Sequence, residues 1–357
     1  MDYEKILSRK PYSLKKEEKS KLYGEWLAEL TAYHRQHCEL YNKFLIMLQI
    51  PEEVQSKEEK IPMLPVGLFK NMELKSVPCH MVNKTVTSSG TKEQKVSKIY
   101  LDADTATNQQ KALANIGEDF FGASRLPLLI IDRLDVLKNR ELFSARGAGI
   151  LGFSIFSSRI GYALNQDMKL DLNGIEKFLN GCQENKILIF GFTYIIWEYF
   201  YEVLRQSGKK LNLKNAILVH GGGWKRLLEK SVSSGEFKKK IREVTGIENI
   251  HNYYGMAEQT GCIYMECSCG NFHASIYSDV IMRRPEDFSP CKIGEKGIIQ
   301  VLSPLPYSYP GHSILTEDEG ILLGEDDCPC GRLGKYFKVT GRIRQAQIRG
   351  CSDTYER

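Results

Sequence analysis

Three short apolar runs in the middle of the 357-residue chain constrain its fold more than any other feature. They are LPLLIID (126–132), KILIFGF (186–192) and NAILVHGGG (215–223), and each has a glycine or a polar residue at or next to its end. Amphipathic stretches such as WEYFYEVLRQSG separate them. Strands that are apolar along their whole length are buried on both faces, and their alternation with helices is typical of a mostly parallel sheet. The sequence therefore predicts an α/β fold, with mixed or parallel sheets flanked by helices.

Regions of a different character precede and follow this core. Apolar residues recur at helical spacing between residues 13 and 48, which predicts a long helix with Ser13 as its N-cap and Pro51 just beyond its end. After Tyr254 short β-like runs occur (GIIQVLS, GILLG and YFKVTGRI), and cysteine and glycine become frequent. We expect a helical N-terminal segment plus α/β core over 1–250, a smaller β-rich region over 251–340, and a truncated hinge and tail over 341–357.

Composition and charge exclude several classes of protein. The net charge of +5 is small, and the basic run FKKKIR (237–242) lacks interleaved aromatic residues, so we expect a solvated helix face and no nucleic-acid partner. The most apolar stretch, ILIFGFTYIIW (187–197), is shorter than the roughly 20 residues that span a bilayer. No apolar signal segment is visible at the N-terminus, so we expect a cytoplasmic protein whose ten cysteines are reduced.

Three motifs that suit a nucleotide follow one another along the chain. TSSGTK (87–92) offers hydroxyl donors, a flexible glycine and a lysine, which together suit a phosphate group. HGGGWK (220–225) follows a predicted strand, and its glycines permit a flat ligand to approach the backbone. NYYGMAEQ (252–259) combines aromatic rings with a carboxylate that can bind Mg²⁺. Alone, each motif also has an ordinary explanation, respectively a polar turn, a tight strand-to-helix turn and an aromatic pair in the core.

The order of these motifs, followed by TED (316–318) and TGRI (340–343), resembles the adenylate-forming enzyme superfamily. There the first motif wraps the triphosphate of ATP, the glycine turn and a tyrosine bind adenine, a glutamate holds Mg²⁺ and a later aspartate binds the ribose. The resemblance implies that Glu258 and Lys92 act in catalysis with ATP and Mg²⁺. It also implies a nucleotide site formed by Ser88, Ser89, Gly90, Thr91, Gly221, Gly222, Gly223, Tyr254, Gly255, Asp318 and Arg342.

Further blocks narrow the resemblance to the bacterial acyl-protein synthetase family. They include LPVGLFK, RLPLLIID, FGFTYIIWEYF and IRGCSD, and the similarity extends from about Pro11 to Asp353. The resemblance implies a ligase that works in two steps: a carboxylic acid, expected to be a fatty acid, attacks the α-phosphate of ATP, and the acyl group then passes to a thiol as a thioester. It implies Cys351 as the accepting thiol and an acyl reductase as the partner that collects the acyl group.

Departures from the superfamily pattern leave alternatives open. Superfamily loops continue T-G-x-P, whereas Lys92, Glu93 and Gln94 intervene here. Larger members of the superfamily carry a mobile C-terminal domain whose lysine stabilises adenylation. We expect this domain to be absent here, and Lys92, Lys95, Lys225 or a partner subunit to replace the lysine. Phenylacetate–CoA ligases share the superfamily motifs, so an acid–CoA or acid–carrier-protein ligase is one alternative. A weakly active nucleotide-binding scaffold subunit is another.

Two C-x-C-G pairs occur in the β-rich region, in CSCGNFH (267–273) and CPCGR (328–332). Four thiolates suit a tetrahedral zinc ion, and such a closed site would be structural. We expect zinc bound by Cys267, Cys269, Cys328 and Cys330, with His273 as the alternative to one thiolate. Unliganded cysteines in two turns are the competing explanation, because C-x-C spacing is less diagnostic than C-x-x-C.

The run GFTYIIW follows a predicted strand, and in the superfamily such a strand end borders the acid-binding pocket. The resemblance implies Phe192, Thr193 and Tyr253 as residues that line this pocket. Packing in the core explains the same side chains equally well.

Overall fold

The computed structural model of the protein describes residues 1–88, 95–137, 146–182, 186–224 and 229–343. Within these ranges the chain forms two compact units. The first unit combines Met1–Ile116 with the described residues from Gly255 onward, and the second unit is Gly117–Tyr254. The N-terminal segment thus belongs to the same unit as the β-rich region. The division into domains at residues 250 and 340 stays a prediction, because compactness alone does not define which segments fold independently.

Most helices of the described residues span only a few turns. They are α1 (Tyr3–Leu7), α2 (Lys16–His37), α3 (Glu39–Met47), α4 (Leu68–Asn71), α5 (Ala103–Phe121), α6 (Ala148–Ser154), α7 (Leu172–Asn180), α8 (Thr193–Ile195), α9 (Glu202–Ser207) and α10 (Ser234–Thr245). A π-helical turn at Ile196–Tyr201, a rare form, joins α8 to α9. No helix in the described part of the chain has both the length and the apolar character needed to cross a membrane.

The strands divide between the two units. They are β1 (Leu64–Pro65), β2 (Lys84–Thr87), β3 (Lys98–Leu101), β4 (Leu126–Arg133), β5 (Ser157–Leu164), β6 (Leu188–Phe192), β7 (Ile217–Gly221), β8 (Asn249–Tyr254), β9 (Tyr264–Glu266), β10 (Phe272–His273), β11 (Asp279–Arg283), β12 (Lys296–Leu302), β13 (Ser313–Glu325) and β14 (Lys335–Arg342). Strands β4 to β8 lie in the second unit, and the others lie in the first.

The second unit is built on a sheet with strand order β5-β4-β6-β7-β8, in which every neighbouring pair is parallel. The three apolar runs that define the sequence pattern form β4, β6 and β7, and all residues of β6 and β7 are buried. The strand order reverses beside β4, since β5 lies on one side of it and β6 on the other. In open parallel sheets, ligands bind outside the carboxyl ends of the strands at such a reversal.

The first unit is built on an antiparallel sheet with strand order β11-β12-β13-β14-β10-β9. Strand β1 pairs in parallel with β13, and β2 and β3 form a separate hairpin. Helix α2 covers the sheet through a buried apolar cluster of Tyr23, Leu27, Ile61, Ile281 and Leu302. Parallel strands with helices, together with a β-rich region, confirm the predicted α/β class.

The long helix predicted between residues 13 and 48 is two helices. Cys38 separates α2 from α3 in an extended conformation, with φ −127° and ψ 99°. The extended residue redirects the chain, and α3 then buries Tyr41 and Leu45. The prediction of Ser13 as N-cap is also wrong, because α2 begins after Lys15 and the Ser13 hydroxyl donates to Lys10 O at 2.8 Å.

Candidate functional site

Two neighbouring strands of the first unit carry the residues of the TED and TGRI motifs. β13 and β14 are antiparallel, and their register sets Asp318 directly opposite Arg342. Arg342 Nη2 donates to Glu317 Oε2 at 2.7 Å, and Arg342 Nε lies 3.5 Å from Asp318 Oδ1. The Thr316 hydroxyl accepts a hydrogen bond from the Asp318 amide at 3.1 Å. The sheet therefore brings together the aspartate and the arginine that the sequence singles out, and holds both in place.

Glu258 lies in a 3-10 turn at Ala257–Gln259, and the residue is only 3% exposed. Its backbone carbonyl accepts a hydrogen bond from the Tyr309 hydroxyl at 2.9 Å. Gly255 of the same motif packs against Ile263. Glu258 Oε1 has no hydrogen-bond partner among the described residues. Burial of a carboxylate oxygen without a partner is costly, and a divalent cation would satisfy it.

The predicted phosphate loop is described only at its two ends. The Ser88 amide donates to Ser97 O at 3.1 Å, and the Ser88 hydroxyl accepts from the Ser97 amide at 2.9 Å. These hydrogen bonds close the base of the loop. Several predicted residues lie outside the described residues, namely Ser89, Gly90, Thr91, Lys92, Lys225 and Cys351.

The predicted glycine turn lies at the carboxyl end of β7 in the second unit. Gly221 is the last residue of the strand, and a Cβ at this position would overlap the ring of Tyr253 on β8. Gly222 follows at φ +73°, in the left-handed region that favours glycine, and Gly223 after it is buried. The ring of Tyr253 thus lies close to the backbone at Gly221. Tyr254, the predicted adenine-stacking residue, is also buried.

Phe192 and Tyr253, predicted to line the acid pocket, belong to an aromatic cluster in the second unit. The rings of Phe153 and Phe190 stack with centroids 4.3 Å apart. Phe192 meets Phe190 edge-on at 5.7 Å, and the Tyr253 ring lies 5.4 Å from that of Phe153. The cluster supplies an apolar wall, and its contact with an acid stays a prediction.

Thr193 has a polar environment instead. Its hydroxyl oxygen lies 2.9 Å from His220 Nδ1 and 3.2 Å from Gly221 O. Burial lowers the pKa of His220 to about 3, so the imidazole is neutral at physiological pH. The sequence reasoning missed His220. Its position at a predicted strand end, directly before three glycines, is the signal that could have identified it.

A further group of side chains in the first unit unites the two cysteine pairs. Cys267, His273, Cys328 and Cys330 each offer one ligand atom, and these atoms all lie within 4.8 Å of one another. Cys267 Sγ and Cys328 Sγ are 3.9 Å apart, and Cys330 Sγ is 3.3 Å from His273 Nε2. Zn–S bonds of about 2.3 Å at tetrahedral angles separate two sulfurs by about 3.8 Å. The group therefore fits a tetrahedral zinc site.

Each cysteine pair forms the same kind of turn. The Gly270 amide donates to Cys267 O at 2.9 Å, and the Gly331 amide donates to Cys328 O at 2.9 Å. Both glycines are left-handed, with φ +78° and +81°. Cys269, the fourth predicted ligand, is exposed and lies outside the group. The fourth member of the group is instead His273, the alternative ligand, which lies on β10 just after the first turn.

Burial shifts the pKa of two of these candidate ligands, in opposite directions. It raises the pKa of the Cys267 thiol to about 12 and lowers that of His273 to about 4. Metals bind neutral imidazole, and a divalent cation would favour the thiolate that burial disfavours. Asn271 Nδ2 donates to Cys328 Sγ at 3.7 Å, a contact that would hold the sulfur in place.

The fold is similar to that of solved adenylate-forming ligases. A crystal structure of 2-hydroxyisobutyryl-CoA ligase in the post-adenylation state matches with a TM-score of 0.70 at 14% identity, covering 96% of this chain and 71% of that protein. An open conformation of the same ligase matches with a TM-score of 0.68 at 14% identity, covering 92% and 71%. This likeness shows that the chain has the fold of adenylate-forming ligases.

Sequence comparison identifies the family within this class. The family described as acyl-protein synthetase, LuxE, matches residues 2–357, and the chain belongs to it. A long-chain-fatty-acid–luciferin-component ligase from Vibrio harveyi is 22% identical over 344 residues, covering 90% of this chain and 83% of the relative. Its counterpart from Aliivibrio fischeri is 21% identical over 375 residues, covering 97% and 91%. The family resemblance is confirmed: the protein is an ATP-dependent ligase that activates an acyl group and joins it to protein.

Proposed function

We propose that the protein activates a long-chain fatty acid as its acyl-adenylate, transfers the acyl group to the Cys351 thiol and delivers it to an acyl reductase. The names of both curated relatives support the substrate class. In the first step a carboxylate oxygen attacks the α-phosphorus of ATP and pyrophosphate leaves. In the second step the Cys351 thiolate attacks the acyl carbon and AMP leaves, which requires a deprotonated sulfur.

The observation that carries the first step is the buried carboxylate oxygen of Glu258 without a described partner. Mg²⁺, when bound, would neutralise charge on the triphosphate and the leaving pyrophosphate. Glu258 would hold this ion, and Asp318, fixed opposite Arg342, would accept hydrogen bonds from the ribose hydroxyls. The glycine turn and Tyr254 would bind adenine, and the loop that contains Lys92 would bind the triphosphate.

ATP–pyrophosphate exchange across a panel of carboxylic acids tests this proposal. We expect exchange to depend on added acid and to be fastest with long-chain fatty acids. Glu258→Gln should reduce exchange by about 100-fold, because it removes the charge that would hold the cation. Glu319→Gln is a matched control, since Glu319 pairs at the surface of β13 with Lys296 at 2.8 Å. Exchange without any acid, or equal exchange by both variants, would contradict the proposal.

We also propose that Cys267, His273, Cys328 and Cys330 bind a structural zinc ion. Four protein ligands leave no coordination position for substrate. The ion would instead tie together two turns whose first cysteines are 61 residues apart in the chain. The fit of the described ligand atoms to tetrahedral geometry supports this assignment.

A further inference from the structure

A buried tyrosine of the first unit, Tyr309, connects helix α5 to the turn that carries Glu258. The Tyr309 hydroxyl donates to Glu258 O at 2.9 Å and lies 3.2 Å from Gln109 Nε2 on α5. A phenol carries one proton and a carbonyl oxygen can only accept, so the hydroxyl gives its proton to Glu258 and accepts from the Gln109 amide. Burial raises the pKa of Tyr309 above its ordinary value, so the hydroxyl stays a donor at physiological pH.

This hydrogen bond reaches a carbonyl that follows those engaged by the turn itself. Within the turn, the Gln259 amide donates to Met256 O at 3.3 Å. The Tyr309 hydroxyl bonds the carbonyl of Glu258, and it comes from a segment 51 residues farther along the chain. The carbonyl carbon and Cβ of Glu258 are bonded to the same Cα, so a carbonyl that is held in place also fixes the direction of the Cα–Cβ bond.

Two further contacts hold the same turn. Gln259 Nε2 donates at 2.8 Å to Gly311 O, two residues after Tyr309. At the other end of the turn, Gly261 has φ +85°, and a Cβ there would lie 2.3 Å from Gln109 O. The turn is therefore packed against the two elements that Tyr309 connects, namely α5 and the segment that contains Tyr309 and Gly311. Three contacts from two elements restrict its movement.

This support matters because the carboxylate in the turn is a buried candidate ligand for a cation. Glu258 is 3% exposed, and its Oε1 has no hydrogen-bond partner among the described residues. Mg²⁺ requires near-ideal octahedral geometry, so a ligand that is already held in position loses little freedom when the ion binds. Residues that orient a metal ligand typically contribute about 10- to 100-fold to the affinity for the metal.

We infer that Tyr309, supported by Gln109, is a positioning residue that holds Glu258 in the orientation in which its carboxylate binds the divalent cation. The inference rests on the proposed function, in which Glu258 holds Mg²⁺. Neither Tyr309 nor Gln109 needs to touch the cation or the nucleotide.

A second chain of hydrogen bonds in the first unit provides a matched control. Asn115, also on α5, donates from Nδ2 to the Tyr277 hydroxyl at 2.8 Å, and that hydroxyl donates to Arg9 O at 3.0 Å. Tyr277 is fully buried, as Tyr309 is. Tyr277→Phe therefore removes an equivalent hydroxyl and leaves the hydrogen bond to Glu258 in place.

Binding of Mn²⁺ in the presence of a non-hydrolysable ATP analogue tests the inference without catalysis, because Mn²⁺ takes the same oxygen ligands as Mg²⁺. Electron paramagnetic resonance of free Mn²⁺ gives the Kd. We expect Tyr309→Phe to raise this Kd about tenfold and Tyr277→Phe to leave it unchanged. Both variants should lower the melting temperature to a similar extent, since each lacks one buried hydroxyl that bonds a backbone carbonyl.

A change at Gln109 decides the matter where Tyr309→Phe fails to fold. Gln109→Met removes the amide and keeps the length of the side chain, and Asn115→Leu is the matched change in the control. We expect Gln109→Met to raise the Kd for Mn²⁺ about threefold, because the tyrosine hydroxyl loses its own support, and Asn115→Leu to have no effect. The double variant Gln109→Met/Tyr309→Phe should bind Mn²⁺ as Tyr309→Phe does, since Gln109 acts through that hydroxyl.

The outcomes separate the inference from the proposed function. If Tyr309→Phe binds Mn²⁺ as the wild type does, Tyr309 contributes packing alone and the inference is overturned. An equal rise in Kd for Tyr277→Phe overturns it as well. A wild type that binds no Mn²⁺ with the analogue, or binding that Glu258→Gln leaves unchanged, refutes the proposed role of Glu258 and the inference with it. Binding that Glu258→Gln weakens and Tyr309→Phe does not refutes only the positioning role.

Discussion

At the scale of single residues, four glycines of the second unit lie where an aromatic ring presses against the backbone. A Cβ at each of them would meet that ring. The pairs are Gly117 with Phe156, Gly149 with Phe192, Gly161 with Phe178, and Gly221 with Tyr253. None of these glycines has a positive φ. Each position requires glycine because a side chain would not fit beside the ring. The backbone conformation itself does not require glycine.

Gly221→Ala should destabilise the protein by about 1–3 kcal/mol, because the added methyl group must displace the Tyr253 ring. Urea unfolding followed by circular dichroism measures the change. Gly235→Ala is the matched control: it lies in α10 with nothing within 4 Å of the added Cβ. Alanine favours helices more than glycine, so this control should not be destabilised. Equal midpoints for the two variants would refute the packing argument.

Two buried imidazoles make the first unit sensitive to acid. The rings of His34 and His312 stack with centroids 5.0 Å apart, and burial lowers the pKa of both, that of His312 to about 3. His34 Nδ1 lies 2.7 Å from the Ser76 hydroxyl, and His312 Nε2 lies 2.9 Å from the Thr31 hydroxyl. Both rings are therefore neutral in the folded protein at physiological pH.

The free energy of unfolding should fall as pH drops below about 6.5, because the unfolded chain then binds protons that the folded chain excludes. Between the pKa of a histidine in the folded protein and its pKa in the unfolded chain, that histidine lowers the free energy of unfolding by up to about 1.4 kcal/mol for each pH unit of acidification. The Thr31 hydroxyl donates its proton to Leu27 O at 2.7 Å, so it accepts a hydrogen bond from His312 Nε2–H. The side-chain amide of glutamine can donate in place of that N–H. We expect His312→Gln to reduce the pH dependence of urea unfolding between about pH 4 and 6.5.

The exposed His80 provides the control for this experiment. His80→Gln should leave the slope of unfolding free energy against pH as it is in the wild type. A His312→Gln protein with the wild-type slope would show that His312 is not the source of the acid sensitivity.

The sequence singled out candidate site residues where a motif confines them, and their roles stay predictions. Asp318 and Arg342 were identifiable because two short motifs carry them, and the register of two strands then sets them opposite each other. The contact between Thr193, the first residue of α8 after β6, and His220 on β7 joins residues 27 positions apart. No local pattern encodes such a pair, because it depends on how neighbouring strands align.

At the scale of elements, the two cysteine turns provide a prediction with a built-in control. Cys267→Ser should abolish stoichiometric zinc and lower the melting temperature by several degrees, because the buried ligand group loses one thiolate. Cys269→Ser should keep the zinc, since Cys269 is exposed and outside the group. Elemental analysis and thermal unfolding with and without a chelator measure both effects. Wild-type protein without stoichiometric zinc, or equal loss in both variants, would contradict the assignment.

Elements with a strong local signal were predicted well. β4, β6 and β7 are short apolar runs rich in leucine and isoleucine, with polar residues or glycine near their ends, and each forms at the expected place. The break between α2 and α3 was not predicted. It falls at Cys38, with neither glycine nor proline beside it, and the helical periodicity continues on both sides. Tertiary packing of α3 decides the break, and a local pattern does not record it.

At the scale of the whole molecule, the two half-reactions should be separable. Cys351→Ser should retain acid-dependent ATP–pyrophosphate exchange, because adenylation needs no thiol. The same variant should lose the stable acyl-protein thioester detected after incubation with radiolabelled fatty acid and ATP. Cys79→Ser, which alters an exposed cysteine elsewhere, should keep both activities. Persistent thioester labelling of Cys351→Ser would remove Cys351 from the mechanism.

The fold class and the family could be recognised from the sequence, but it could not be predicted which segments of the chain form each compact unit. The first unit joins an N-terminal segment to strands that follow the entire second unit. Contacts such as the buried ion pair of Lys19 with Asp279, at 3.5 Å, hold these segments together. Patterns along the sequence predict domains made of consecutive residues. The packing of buried residues, in contrast, joins segments that are far apart in the chain.

This discontinuity sets an order of events during synthesis on the ribosome. Lys19 Nζ donates to Ser278 O, an acceptor that is made 259 residues later. At about 5–20 residues per second, α2 waits roughly 13–50 s for the strands that will cover it. The described part of the second unit, Gly117–Tyr254, is made before any of β9 to β14 exists. Helix α2 is thus made early but is among the last elements to reach its place, and its apolar face is available to chaperones until then.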